Sequence, residues 1–180
     1  MKATKWKSYS LALIAGMSVL TACSSDDNND NGGNGNNGNG NEIENGTTLK
    51  GTITSDVTLT AGSTYKLSGE YIVEDGATLN IEAGVKIISI YDDIVDYILV
   101  KQGGKINAVG TSSAPIVMTS EKEEPGAWGG IHICGKAHTN AEGGKGSSEK
   151  GGATYGGNDD ADNSGTLKYV RVEYSGYAFD

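Results

Sequence analysis

The chain is 180 residues long and carries 14 basic against 23 acidic residues, a formal charge of −9. That balance argues against nucleic acid or an anionic lipid surface as a partner, since both demand clustered cations. Arg171 is the single arginine, so no arginine cluster is there to grip phosphate or carboxylate.

Residues 1–22 read as a secretory signal. Lys2, Lys5 and Lys7 form a positive start, and the apolar run Leu11–Leu20 is about half the roughly twenty residues a helix needs to cross a bilayer. Thr21 and Ala22 then lead into Cys23, and "LTAC" resembles the lipobox of bacterial lipoproteins. The resemblance implies a diacylglyceryl group on the Cys23 thiol, cleavage before it and acylation of the new amino group, with palmitate-like chains as the membrane anchor. Two or three such chains hold firmly where one holds marginally. The alternative is an ordinary signal with a chance cysteine at its end. Removing the signal takes three lysines and no acid, leaving 11 basic residues against 23 acidic ones and a charge of −12. With Cys23 lipidated, Cys134 has no intramolecular partner, and a disulfide framework is not expected.

Residues 23–48 are predicted as the lipidated cysteine and a disordered Asn/Gly-rich linker. From 24 to 41 there is no apolar side chain, so the segment has nothing to offset its ordering entropy. Its reach is roughly 20 to 25 Å, enough to lift a domain clear of the headgroups. "SSDD" after Cys23 resembles the surface-export signal of Bacteroidota lipoproteins, which implies an outer-membrane protein facing outward. A periplasmic-facing anchor is the alternative.

A β-rich domain is expected over 49–180. Short alternating runs predict strands at Thr64–Leu67, Tyr71–Val73, Thr78–Ile81 and Val85–Ile90, and no helical period is sustained. "EDGATLNIEAGVKIIS" is echoed by "KQGGKINAVGTSSAPIVMTS", with Gly76 and Gly103 aligned at a step of 27 residues. "AWGGIHICGKA" follows at a step of 26 from Gly103 to Gly129, and "SGTLKYVRVEYSG" after a Gly-rich insertion at about 141–164. Repeats in the twenties built from strands and turns indicate a β-solenoid. Pro115 ends a turn, and Ile116, Val117 and Met118 enter a buried strand.

"VEDGATLNIEAGVKI", "INAVGTSSAPIVMTS", "GAWGGIHICGKA" and "LKYVRVEYSG" together resemble the right-handed parallel β-helix lipoproteins of Bacteroidota, related in fold to pectate-lyase-like proteins. The resemblance implies an all-β right-handed parallel β-helix of which 49–180 holds the N-terminal coils. The chain stops at "EYSGYAFD" inside what reads as a coil, so truncation of a longer product is expected, with a partner over the open end as the alternative.

Four groups are candidates for chemistry. Asp92, Asp93 and Asp96 in "YDDIVDY", and Asn158, Asp159, Asp160 and Asp162 in "GGNDDADNSG", have the oxygen density for calcium but not a recognised loop spacing. His132 and Cys134 share a strand face and allow a zinc pair with His138 nearby, although the isoleucines around them favour packing, with Cys134 a small buried apolar residue. Lys168 and Arg171, three apart on one expected strand, fall on opposite faces, too sparse for lyase chemistry on an acidic sugar. Tyr65, Tyr71, Tyr91, Tyr97, Tyr155, Tyr169, Tyr174, Tyr177 and Trp128 offer rings for sugar stacking or serve as strand formers. No nucleophile elbow or Ser–His–Asp order is visible, so no catalytic residue and no cofactor are expected. The reading is a lipid-anchored surface protein with a binding or structural role toward glycan or a host-surface protein. The alternative is the N-terminal part of a polysaccharide-degrading enzyme whose catalytic coils lie elsewhere.

Overall fold

The structure, a computed structural model, describes residues 41–178. The signal, Cys23, "SSDD" and most of the tether lie outside the described residues. Strand structure begins earlier than composition suggests: β1 (Asn41–Ile43) falls inside the expected linker, and β2 (Thr48–Ile53) follows. Register explains the difference. Ile43 lies beside Leu59 in a parallel pair and packs on the core, so one apolar side chain at the end of a polar tract has a column to join.

From there the chain winds around three faces, and every strand pair in them is parallel. The first face runs β1, β3 (Val57–Leu59), β5 (Thr78–Ile81), β8 (Lys105–Val109) and β13 (Gly165–Lys168). The second holds the start of β2, the start of β4 (Thr64–Val73), β6 (Lys86–Ser89), β9 (Ile116–Ser120) and β14 (Val170–Val172). The third holds the ends of β2 and β4, then β7 (Tyr97–Val100) and β10 (Gly130–Ile133). This is a right-handed parallel β-helix, the hand that twisted strands impose on parallel crossovers. The expected strands Thr64–Leu67 and Tyr71–Val73 are one strand, β4, that turns a corner at Gly69, whose φ of 71° suits glycine.

The Gly76–Gly103 alignment matches the register: Thr78 lies beside Lys105, and the Gly76 N–H donates to Gly103 O at 3.2 Å. The Gly103–Gly129 alignment does not. β10 stacks on β7 with Gly130 beside Tyr97, a step of 33 residues, so "AWGG" leads into a strand of the third face and not into the turn at Gly103. Lys168 and Arg171 also part company, on β13 and β14, because Tyr169 makes a corner with φ 51°.

Inward side chains stack in columns one coil deep. Val57, Leu79 and Ile106 form one, and Leu59, Ile81 and Ala108 another, all buried. Ile87 and Met118 do the same on the second face, where Pro115 precedes the buried start of β9 as expected. Tyr65 places its phenol inside by donating to Ile43 O at 2.9 Å and accepting from the Thr60 N–H. Trp128 is buried with its indole N–H donating to Glu173 O at 2.7 Å. In the last described coil Leu167 and Val172 continue the Ala108 and Met118 columns while 48% and 45% exposed.

Because Ile106 touches the coil on either side, Ile106→Ala is expected to cost about 2–5 kcal/mol. Asn80→Ala, which removes only an outward amide that accepts from Asn107 at 3.3 Å, is expected to cost about 1 kcal/mol. Urea unfolding of the two variants checks the difference.

Candidate functional site

Strand alternation sets the outer side of the third face. On β4 Tyr71 and Val73 point inward, so Glu70 and Ile72 point out; on β7 Ile98 and Val100 point inward, so Tyr97 and Leu99 point out. Outward positions on the first face are mostly Thr, Asn and Lys, as at Thr58, Asn80 and Asn107. Here Ile72, Tyr97 and Leu99 are apolar and buried, forming a second small core with Cys134 and Ala153.

Their cover is the Gly-rich insertion. Its base is bonded closely to the coil: the Gln102 amide donates to Gly135 O at 2.9 Å and to Gly156 O at 2.8 Å. The Lys136 N–H donates to Asp162 at 2.9 Å, and the His138 N–H and Nδ1 both meet Asp160, at 3.0 and 3.1 Å. Beyond the base, β11 (Gly146–Ser147) and β12 (Thr154–Tyr155) make a small antiparallel hairpin.

The opposite rim is the segment between β6 and β7, held by Asp96. This carboxylate is 1% exposed, accepts from the Gly69 N–H at 2.5 Å and from Ser89 Oγ at 2.8 Å, and bonds the Ile90 backbone. Burial pushes its pKa up, helped by the charge of Asp92 and opposed by those hydrogen bonds. Ile94, on this rim, stays 58% exposed.

Between the rims lies an open groove of about 610 Å³, lined by Lys50, Ser68, Glu70, Ile94, Tyr97 and Lys150 among others. At its floor Tyr97 Oη donates to Glu70 Oε2 at 2.7 Å. Burial, and after it Glu70, pushes the Tyr97 phenol up to about 12. The Tyr97 ring also meets His132 edge-on, with centroids 5.9 Å apart.

The expected site residues are scattered around this arrangement. Asp96 is a buried strut, while Asp92 accepts from the Ile94 N–H two residues on. Asp159 accepts from the Ala161 N–H, and Asp160 and Asp162 tie the insertion to 136–138. Among the described residues no three His, Cys, Asp or Glu side chains converge where a metal would sit. His132 and Cys134 share the outer face as expected, with Cys134 buried in the second core. Arg171 pairs with Glu173, and Lys168 lies 5.7 Å from the centroid of the Tyr169 ring. Of the rings, Tyr65, Tyr71 and Trp128 belong to the main core, whereas Tyr91, Tyr169 and Tyr177 are exposed. The sequence reading missed Glu70, Ser68, Lys50, Ile94 and Lys150. One signal was there to find: Glu70 and Tyr97 are separated by the same 27-residue step as Gly76 and Gly103.

Residues 51–180 match the family model described as a pectate-lyase like beta helix domain. The chain belongs to that family. No curated protein and no solved structure matches it. The match to this pectate-lyase-like β-helix covers both rims and every named lining residue of the groove except Lys50.

Asp96 gives the site a testable pH dependence. Its folded-state pKa lies above the unfolded value, so the stability it contributes is fully present below the ordinary carboxylate range. That contribution is lost as pH rises through the raised value. Asp96→Asn keeps an acceptor for the Gly69 N–H without the charge. The stability of the native chain relative to this variant is therefore expected to fall as pH rises above the ordinary carboxylate range, from about pH 4 upward. Melting temperatures of both proteins over that range check it, and Asp96→Ala, which orphans buried donors, is expected to cost about 1–3 kcal/mol at any pH.

Proposed function

We propose that this pectate-lyase-like β-helix is a lipid-anchored cell-surface protein that binds glycan in the third-face groove. What supports the binding role is the meeting of hydroxyl-pairing groups with apolar walls: Glu70, Ser68, Lys50 and Lys150 stand around Ile94 and Tyr97. Sugars present both kinds of surface, and recognition sites pair a few placed polar groups with apolar and aromatic lining. The anchor rests on "LTAC" at Cys23, the signal before it and the Asn/Gly tether after it; outer-membrane placement facing outward rests on "SSDD". The mechanism is passive display, with the rigid coils fixing the groove and the tether giving it reach.

The Glu70–Tyr97 pair supports a second reading, a polysaccharide-degrading enzyme. It ranks below binding for two reasons. Hydrolysis takes two carboxylates flanking the glycosidic bond, and Glu70 is the one acid among the lining residues. A phenol pushed up to about 12 stays protonated at neutral pH and so serves as a donor, not a base.

A soluble Cys23→Ser protein applied to a glycan array is expected to retain at least one sugar class. Glu70→Gln and Lys150→Ala are each expected to weaken that binding about tenfold or more, roughly 1.4 kcal/mol. Retention unchanged in both variants would move the site elsewhere, and release of shortened products would favour the enzyme. In cells, Cys23→Ser is expected to shift the protein from the membrane to the soluble fraction; continued membrane association would sink the anchor.

A further inference from the structure

The insertion is built in two parts with different attachments. Its base, 135–138 and 156–162, is tied to the coil by Gln102 and closed on itself by Asp160, Asp162 and the Gly156 N–H donating to Gly135 O at 2.9 Å. Its tip, 139–155, closes bonds within itself, the Ser148 N–H donating to Ala153 O at 2.8 Å and Ser148 Oγ to Lys150 O, and meets the coil at Cys134, whose thiol donates to Ala153 O at 3.9 Å and bonds the Ser148 side chain. What the tip lays on Ile72, Tyr97 and Leu99 is Ala153, with Tyr155 partly buried beside it. Gly151 comes so close that an added Cβ would stand 2.6 Å from Leu99 Cδ2. Glycine and alanine bury little apolar surface, and glycine loses the most freedom on ordering, so this is the low-stability end of the molecule. Gly143, Gly144, Gly151 and Gly152 all have positive φ along the tip and its approaches. Beneath it lies an outward stripe, Ile72, Leu99 and His132 in one row with Tyr97 alongside, in positions that carry Thr and Asn on the first face. Tyr97 also lines the groove, and so does Lys150 from the tip itself.

We infer that residues 139–155 are a strap that opens while the coils stay folded, and that the stripe under it is a second sugar subsite continuing the groove along the helix axis. The subsite rests on the glycan reading above; the opening does not. A short sugar occupies the groove with the strap closed. A longer one displaces the tip and lays successive rings along Tyr97, Leu99 and His132, two coils of the third face.

Cys134 reports the opening. It is buried under Ala153, and burial pushes its thiol up, so the closed form is unreactive at neutral pH. In the full-length Cys23→Ser protein it is the one remaining thiol. Its reaction with 5,5′-dithiobis(2-nitrobenzoate) in native buffer is expected to run at least tenfold faster than global unfolding measured by circular dichroism. Gly151→Ala, which forces the tip off Leu99, is expected to raise the rate a further tenfold with the far-ultraviolet spectrum unchanged. Hydrogen exchange at 139–155 compared with 97–100 gives the same reading without any substitution. Thiol reaction and exchange that both track global unfolding would overturn the strap. For the subsite, the probes are two- and six-residue oligosaccharides of cellulose, chitin and xylan type. At least one six-residue chain is expected to change the Cys134 rate threefold or more while its two-residue counterpart does not. If the strap opens but no six-residue probe alters the rate, the subsite falls. Two-residue binding lost in Glu70→Gln would still stand as support for the groove by itself.

Discussion

Stacking in register is the constraint on which the rest of this molecule depends. Parallel strands sit about 4.8 Å apart, so the neighbours of an inward side chain are those one coil before and one coil after it. Leu79 is buried because Val57 and Ile106 are where they are, and a one-residue slip would turn the whole set outward. The faces therefore cannot absorb insertions, whereas the turns can. On the first face the step from coil to coil grows from 16 residues (Asn41 to Val57) to 22 (Val57 to Leu79), 27 (Leu79 to Ile106) and 59 (Ile106 to Gly165). Each added stretch leaves the columns intact and spends its residues outside them. That is why both rims of the groove are turn segments while its floor is strand.

This division also decides what was legible in the sequence. Strand alternation is local, so Thr78–Ile81 and the Gly76–Gly103 step could be read directly. Glycines recur at many corners, so aligning one glycine with another leaves the choice of corner open, and "AWGG" belongs one corner away from the turn at Gly103. Its true position follows from Ile131 lying beside Ile98, a match of inward residues 33 apart that no short-range pattern contains. The run "YILV" held a further clue. A strand with no polar outward residue is one buried on both sides, so a cover over Tyr97 and Leu99 was implied before the cover was known. What covers it was not implied, because the glycines, serines and aspartates of 139–162 look like any solvated loop. Asp92, Asp93 and Asp96 likewise form one acidic cluster in sequence but have separate roles in space, since only Asp96 turns inward to meet Gly69 and Ser89.

The same contrast between neighbouring carboxylates argues for where a ligand would bind. Asp96 is fully buried and has committed both oxygens to its own chain, one to the Gly69 N–H and the other to Ser89. A group so engaged fixes a rim and has nothing left to offer a guest. Glu70, directly after the Gly69 corner that Asp96 pins, is solvent-exposed and meets Tyr97 through Oε2. The phenol fixes the orientation of that carboxylate, which lines the groove as a positioned acceptor. An acceptor held still by a buried donor loses little freedom when a hydroxyl arrives, and pre-organisation of this kind is what converts modest contact area into affinity. Rim and floor thus use the same side-chain chemistry in opposite ways, and solvent exposure is what separates them.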